Sequence, residues 1–346
     1  MLKKLLSKFS HDLGIDLGTA NTLVYVRGKG IVINEPSIVA INTKTDRILS
    51  VGGEAKKMLG KTPPYINVSR PLVNGIISDF EVAEKMLKHF IDKVHKESYS
   101  IIPRPRVVIA IPLNITEVEK KAVEDAALSA GAREVFLVEE PMAAAIGARL
   151  PIQEAIGNMI VDIGGGTTEI AVISLGGVVA SKSLTIAGDE FNADIIQYIR
   201  DKFNLYIGEA TAEDIKIKVG AVFYLDDSIE MEVRGRDVLS GLPKVIKVSD
   251  AHVREATSKS IKTIIDNIKT TVENTPPELV SEVYERGIVL AGGGAQFRGL
   301  TDLIFSETRI PTQILDDPLT AVVRGTGIIL EDIEGMAQVM VPTTEE

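Results

Sequence analysis

Cysteine is absent from these 346 residues, which rules out disulfides and thiol chemistry and leaves the compartment unfixed by redox evidence. No uninterrupted apolar run approaches the roughly 18 residues of a membrane span, so no helix is expected to cross a bilayer. Nor is there an excess of basic charge. Lys and Arg number 38 against 48 Asp and Glu, a net charge of −10, which argues against non-specific nucleic-acid binding because that relies on many cationic contacts to phosphate. Histidine is scarce, and the four present, His11, His89, His95 and His252, lack metal-ligand spacing, so surface or structural roles are expected. Low-complexity segments and long linkers are missing too. What remains, 25% charged and 45% hydrophobic residues, is ordinary for a soluble globular protein. The length exceeds one ordinary core and predicts two domains.

Strand-like and helical patterns alternate along the chain. Apolar runs over 23–26, 38–41, 107–111, 135–138, 159–163, 170–174 and 288–291 read as strands. Helices are expected over about 79–97, 117–130, 189–203, 211–219 and 251–274. The first opens with Ser78-x-x-Glu81 and the second with Thr116-x-x-Glu119, both matching the capping box, in which a hydroxyl and a carboxylate satisfy free N–H groups. Gly131 stops the second, and Thr275-Pro276-Pro277 stops the last. This alternation predicts an α/β architecture with sheets covered by helices.

Two stretches nearly match, Ile15-Asp16-Leu17-Gly18-Thr19-Ala20-Asn21-Thr22 and Val161-Asp162-Ile163-Gly164-Gly165-Gly166-Thr167-Thr168. In each, a strand ends on a carboxylate and a Gly-rich turn follows, with Thr or Asn where backbone N–H groups converge on an anion. Two such turns facing each other would hold the phosphates of one nucleotide. A third turn, Gly292-Gly293-Gly294 after a strand-like run, falls late enough to serve the base or ribose. Glu140 precedes Pro141, which suits the first turn of a helix, so its carboxylate is expected at a helix N-terminus just past a buried strand. There α/β sheets place ligands. The plainer alternative is a helix-capping acid, and the two strand-end aspartates favour chemistry over it.

Two other nucleotide motifs fail. Residues 55–62, Ala-Lys-Lys-Met-Leu-Gly-Lys-Thr, resemble a P-loop, yet Pro63-Pro64 forbids the helix start that would cradle phosphate, and residues 55–59 look helical themselves. Gly164-x-Gly166 continues to Glu169 where a dinucleotide fingerprint needs Gly or Ala.

At the N-terminus, Leu2, Leu5, Leu6 and Phe9 share one helical face while Lys3, Lys4 and Lys8 surround it, the pattern of a short membrane-surface helix. A helix packed on the protein's own body is the alternative. A secretory signal fits less well, because lysines interrupt the apolar residues and no small-residue cleavage site follows. Burying four large apolar side chains contributes about 6–10 kcal/mol gross. Ordering about nine residues at about 1–2 kcal/mol each offsets it, so one copy binds weakly and stable attachment needs many copies.

Together the two aspartate turns and Leu290-Ala291-Gly292-Gly293-Gly294 resemble the phosphate 1, phosphate 2 and adenosine motifs of the actin-like ATPase superfamily. Within it, Gly28 through Ser37, Glu139-Glu140-Pro141-Met142-Ala143-Ala144-Ala145-Ile146-Gly147 and Thr275-Pro276-Pro277-Glu278-Leu279 resemble the MreB family of bacterial actin homologues over nearly the whole chain. The resemblance implies two related α/β domains, each with an inserted subdomain, and ATP with Mg²⁺ in a central cleft. Subdomain IA would cover 1–36, 75–152 and 324–346, IB 37–74, IIA 153–189 and 255–323, and IIB 190–254. Carried over by motif, Gly18, Thr19, Ala20, Asn21, Gly164, Gly165, Gly166, Thr167 and Thr168 hold phosphates. Asp16 and Asp162 hold Mg²⁺ through water, and Glu140 and Thr167 position the attacking water. Glu213, Lys216, Gly293, Gly294, Ala295 and Gln296 line the adenosine pocket. One departure is Lys218, where the family pattern has an acidic residue.

Membership would further imply slow ATP hydrolysis coupled to antiparallel paired protofilaments. These would lie on the inner face of the cytoplasmic membrane and organise peptidoglycan synthesis through membrane proteins of the elongation machinery, with no nucleic-acid partner. Ile101 and Ile102 fall where the family carries a second membrane-inserting loop, the alternative being a plain connecting turn. Three rivals differ in testable ways. A DnaK-type chaperone would continue into a peptide-binding domain, and a sugar or acetate kinase would need an aspartate base and a substrate pocket. A non-hydrolysing scaffold would bind nucleotide only as a structural ligand.

Overall fold

The computed structural model describes residues 10–96 and 104–342. The expected membrane-contact residues Leu2, Leu5, Leu6, Phe9, Ile101 and Ile102 lie outside this range. The chain divides into two compact units, one made of residues up to Ala155, Leu175–Gly177 and Leu319 onward, the other of Ile156–Ser174 and Val178–Pro318.

The first unit opens with β1 (Leu13–Leu17), β2 (Asn21–Val26) and β3 (Gly30–Pro36), an antiparallel meander. A small sheet follows, built from β4 (Val39–Asn42), β5 (Arg47–Val51) and, after helix α1 (Gly53–Met58), β6 (Ile66–Ser69). The short hairpin β7 (Leu72–Val73) and β8 (Ile76–Ile77) leads into α2 (Phe80–His95), then β9 (Arg106–Ile111), α3 (Glu117–Ser129), β10 (Glu134–Glu139) and α4 (Glu140–Gly147). The second unit contains β11 (Asn158–Ile163), β12 (Thr168–Ser174), β13 (Gly177–Leu184), α5 (Gly188–Phe203), β14 (Leu205–Tyr206) and α6 (Glu209–Val219). It continues with β15 (Glu230–Asp237), β16 (Pro243–Ser249), α7 (Asp250–Glu273), α8 (Pro277–Arg286), β17 (Ile288–Ala291), α9 (Leu300–Thr308) and β18 (Thr312–Ile314). The chain then returns to the first unit as α10 (Ala321–Glu331) and β19 (Met340–Val341).

The main sheets of the two units share one plan. In the first the order is β19-β10-β9-β1-β2-β3, in the second β13-β12-β11-β17-β18. Each has a hairpin whose first strand pairs antiparallel with the second and parallel with a later strand, β9 or β17. The near-repeat in sequence is therefore a repeat in topology. β11, β12 and nearly all of β9 are buried on both faces, which is why they read as continuous apolar runs rather than alternating ones. Leu13, Ile15, Val24, Ile109 and Phe90 centre one core; Val161, Val172, Phe191, Ile264 and Leu290 centre the other.

Local signals hold with one correction. Thr116 and Glu119 form the capping box of α3, the Thr116 N–H donating to Glu119 Oε2 at 2.8 Å. Helix α2, however, is capped by Asp79, whose Oδ1 accepts the Val82 N–H at 3.1 Å, and not by Ser78. The Ser78 hydroxyl is drawn instead to the Pro71 carbonyl at 3.1 Å. The P-loop lookalike is excluded as expected, since residues 55–58 already belong to α1.

Candidate functional site

Asp16 is the penultimate residue of β1, paired with Leu23 in β2 and Ala110 in β9. Asp162 occupies the equivalent place in β11, paired with Glu169 and Ala291. The two carboxylates are thus matched by register, each at the carboxyl end of a strand flanked by a parallel neighbour.

In the first unit the turn after Asp16 is braced from behind. Ser37 donates its N–H to the Ala20 carbonyl at 3.0 Å and its hydroxyl to the Gly18 carbonyl at 2.6 Å. Because that hydroxyl is the donor there, Thr22 donates to Ser37 Oγ in turn, at 2.8 Å. The buried Thr19 hydroxyl oxygen accepts the Gly75 N–H at 2.8 Å. A Cβ on Gly18 would approach the Asn21 carbonyl to 2.8 Å, so only glycine lets this turn close. With the Gly18 and Ala20 carbonyls already engaged by Ser37, the turn has fewer free oxygens to repel an anion. Ser37 and Gly75 carried no local signal, being 19 and 56 residues from their partners.

Glu140 begins α4 immediately after β10 and is 8% exposed. Since β10 pairs with β9 and β9 with β1, with Val138 opposite Ala110 opposite Asp16, Glu140 stands two strands from Asp16, about 10 Å across the sheet. Its neighbour Glu139 has its pKa raised by burial, opposed by the charge of Lys120. Helix α4 is held rigidly from behind by α10. A Cβ on Gly147 would strike the Ala321 carbonyl and one on Gly325 the Ala143 carbonyl, so the two helices lie backbone against backbone.

In the second unit the turn after Asp162 is closed by the Gly164 N–H donating to the Thr167 carbonyl at 2.9 Å. Gly188 and Asp189, the first residues of α5, donate to the Gly164 and Gly165 carbonyls at 3.1 and 2.8 Å. The Thr168 hydroxyl donates to the Ile186 carbonyl at 2.6 Å. The Gly164, Gly165 and Thr167 carbonyls are therefore committed, and a 16-residue helix points its N-terminus at the turn, a favourable setting for phosphate. Lys216 on α6 donates to the Gly188 carbonyl at 2.8 Å, which brings its ammonium to the same spot. Glu213 lies one turn earlier on α6 and is half-buried. The third turn, Gly293–Gln296, is a 3₁₀ segment, and Cβ atoms on Gly292 and Gly294 would collide with Asp162 and Ile163. The structure thus unites Gly164, Gly165, Gly166, Thr167, Thr168, Lys216, Gly293, Gly294, Ala295 and Gln296 around one strand end. Lys218 turns away, exposed and paired with Asp214 at 3.2 Å.

Asp162 is 6% exposed, and burial pushes its carboxyl up to about 7. A cation nearby would favour the ionised form of a carboxylate so desolvated. This is the environment that a divalent ion and its waters would complete.

Residues 10–338 match the family described as MreB/Mbl protein. The chain is 52% identical over 340 residues to the cell shape-determining protein MreB of Escherichia coli (strain K12), covering 96% of this chain and 97% of the relative. Among solved structures, MreB5 of Spiroplasma citri bound to ADP is 40% identical with a TM-score of 0.89, covering 94% of this chain and 97% of that one. A non-polymerising MamK mutant bound to AMPPNP is 25% identical with a TM-score of 0.67, covering 93% and 99%.

Proposed function

The chain belongs to the MreB/Mbl family and has the actin-like α/β fold, and from that premise we propose that it is an ATPase of the bacterial cytoskeleton. In this reading it polymerises into antiparallel paired protofilaments on the inner face of the cell membrane and controls cell shape by organising peptidoglycan synthesis with the membrane-bound elongation machinery. The observation that carries it is the pair of register-matched aspartates, Asp16 and Asp162, each followed by a turn with carbonyls already engaged. Relatives with bound ADP and AMPPNP support nucleotide binding, and a MamK mutant described as non-polymerising, which implies that MamK itself polymerises, supports self-assembly. The small sheets β5-β4-β6 and β14-β15-β16 correspond in this reading to the inserted subdomains IB and IIB.

The roles follow from the chemistry of each group. Gly18, Thr19, Ala20 and Asn21 in one unit and Gly164 to Thr168 in the other bind phosphate oxygens through N–H and hydroxyl donors. Asp16 and Asp162 would hold Mg²⁺, which would supply charge neutralisation on the phosphates. Glu140 accepts a hydrogen bond from the attacking water, aligning it and receiving its proton. The Thr167 hydroxyl orients that water. Glu213, Lys216 and Gly293 to Gln296 take the adenosine.

Phosphate release measured alongside electron microscopy of the purified protein with ATP tests this reading. Paired filaments together with slow phosphate release are expected. Filaments without any hydrolysis would favour the nucleotide-as-scaffold alternative, and hydrolysis without filaments would remove the cytoskeletal role.

A further inference from the structure

The chain connections of the small sheet β14-β15-β16 meet at the first turn of α7. Asp250 holds the strand entering β15. Its Oδ1 accepts the Ser228 hydroxyl at 2.7 Å and the Ile229 N–H at 3.1 Å, and its own N–H donates to the Ile229 carbonyl at 3.0 Å. Arg254 donates to Oδ2 of the same carboxylate at 3.2 Å and stacks over Tyr224. His252 holds the strand leaving β16. Its Nδ1 accepts the Ser249 N–H at 3.1 Å, with the Ser249 hydroxyl at 3.2 Å. The same ring packs edge-on against Phe203, centroids 5.1 Å apart, at the end of α5 where the chain turns into β14.

A backbone N–H can only donate, so Nδ1 must present a lone pair, and the ring must be neutral with its proton on Nε2. Glutamine or glutamate ordinarily fills this third position of a capping box, and neither loses its acceptor near neutral pH. Histidine does. A second proton would set N–H against N–H at the cap and place a positive charge on the N-terminus of a 24-residue helix, against its dipole. The charged groups around the ring divide. Lys202 on α5 opposes the proton, while Glu255 and Asp250 on α7 and Glu230 on β15 favour it. Lys202 is paired with Glu255 at 2.8 Å and Lys247 with Glu230 at 3.8 Å, which blunts both carboxylates. Tyr198 on α5 also faces the ring and stays neutral, its pKa pushed up by burial. Burial is the largest influence on His252 too, and it holds the ring below the usual histidine value of 6.5. The folded chain therefore resists a proton that the unfolded chain accepts, and stability is lost as pH falls below about 6.5.

Chain order shows what such a cap controls. Helix α6, which carries Glu213 and Lys216, runs between β14 and β15, and Lys216 reaches the Gly188 carbonyl beside the phosphate turn. We infer that His252 is a proton-operated latch: neutral, it fixes the root of the β14-β15-β16 sheet, and protonated, it releases Ser249 and loosens α6 with the sheet, weakening nucleotide binding. The nucleotide output rests on the function proposed above, whereas the latch itself does not.

Hydrogen exchange of the full chain at pH 7.5 and 5.5, corrected for intrinsic exchange rates, tests the latch without nucleotide. The Ser249 amide should exchange about fivefold faster at pH 5.5, the change expected from losing one helix cap. His252→Gln keeps an acceptor that does not titrate, so its Ser249 amide should be equally protected at both values. His252→Ala should exchange at both values like the acidified wild type. An equal rise in wild type and His252→Gln overturns the inference, as does a wild type with no rise. For the output, ADP affinity should fall by about threefold to fivefold more in wild type than in His252→Gln between the two values, a range bounded by the cap itself. Equal changes in the two proteins, with the latch seen to open, overturn the link to α6. If neither protein binds ADP at any pH, the proposed function fails, and the exchange result still decides the latch.

Discussion

Replacing Asp162 with Asn should make the nucleotide-free protein more stable at alkaline pH while abolishing its Mg²⁺-dependent function. In the folded chain burial lifts this carboxyl from 3.8 to about 7. Below pH 3.8 both folded and unfolded forms are protonated and the group has no effect. Between 3.8 and about 7 the unfolded chain gains by ionising while the folded chain cannot, so stability falls as pH rises, and above about 7 the loss is complete. The gap, at roughly 1.4 kcal/mol per pH unit, corresponds to about 4 kcal/mol. Asn keeps the shape and never ionises, so the variant should lack this dependence. Urea unfolding followed by circular dichroism at pH 5 and pH 8.5 measures it, with the difference between variant and wild type cancelling all other titrations. The variant should lead by about 1.6 kcal/mol at pH 5, already above the unfolded pKa, and by up to about 4 kcal/mol at pH 8.5. Saturating Mg²⁺ and ATP should then stabilise wild type, by about 2.7 kcal/mol at a hundredfold excess over Kd, and leave the variant unmoved. A variant no more stable than wild type at pH 8.5 would refute the claim that Asp162 is a desolvated carboxylate awaiting a cation.

Glu140→Ala should retain ATP binding while phosphate release slows more than about tenfold, because losing a water-positioning group raises the barrier by more than about 1.4 kcal/mol; normal turnover would remove Glu140 from the mechanism. Gly147→Ala drives a Cβ into the Ala321 carbonyl and should lower stability by about 1–3 kcal/mol or more in thermal melts. Gly208→Ala, where a Cβ meets nothing within 4 Å, serves as the control and should lose under about 1 kcal/mol. Deleting residues 1–9, or Leu5→Asp with Leu6→Asp, should abolish most co-sedimentation with anionic vesicles and leave ATP binding intact, the residue depending on Ile101 and Ile102. Undiminished vesicle binding by the deletion would mean that Leu2, Leu5, Leu6 and Phe9 pack on the protein itself.

The sequence by itself determined the strand ends and what stands on them. Met159 to Val161 are apolar because both faces of the strand are covered, and the run ends in Asp-x-Gly as the one at Ile15 does, so the repeat of Asp16 in Asp162 was readable without coordinates. Pro141 at a helix start, the Thr116 box and the break at Pro276-Pro277 are local too, set by neighbours within four residues. Tertiary structure decided the rest. Helix α10 has Gly325 and Gly327 in its interior, each costing about 1 kcal/mol in helix propensity, and no sequence pattern marked it. It forms because the missing Cβ atoms let it press against α4 and Tyr25. Ser78 and Asp79 were both plausible caps, and a carbonyl at Pro71 drew the serine away. Lys218 departs from the family pattern, yet its place on the outer side of α6 gives it Asp214 as a partner. Ser37 braces Gly18 and Gly75 meets Thr19 across distances that local chemistry cannot encode, since only chain folding brings 19 and 56 residues of separation down to a hydrogen bond.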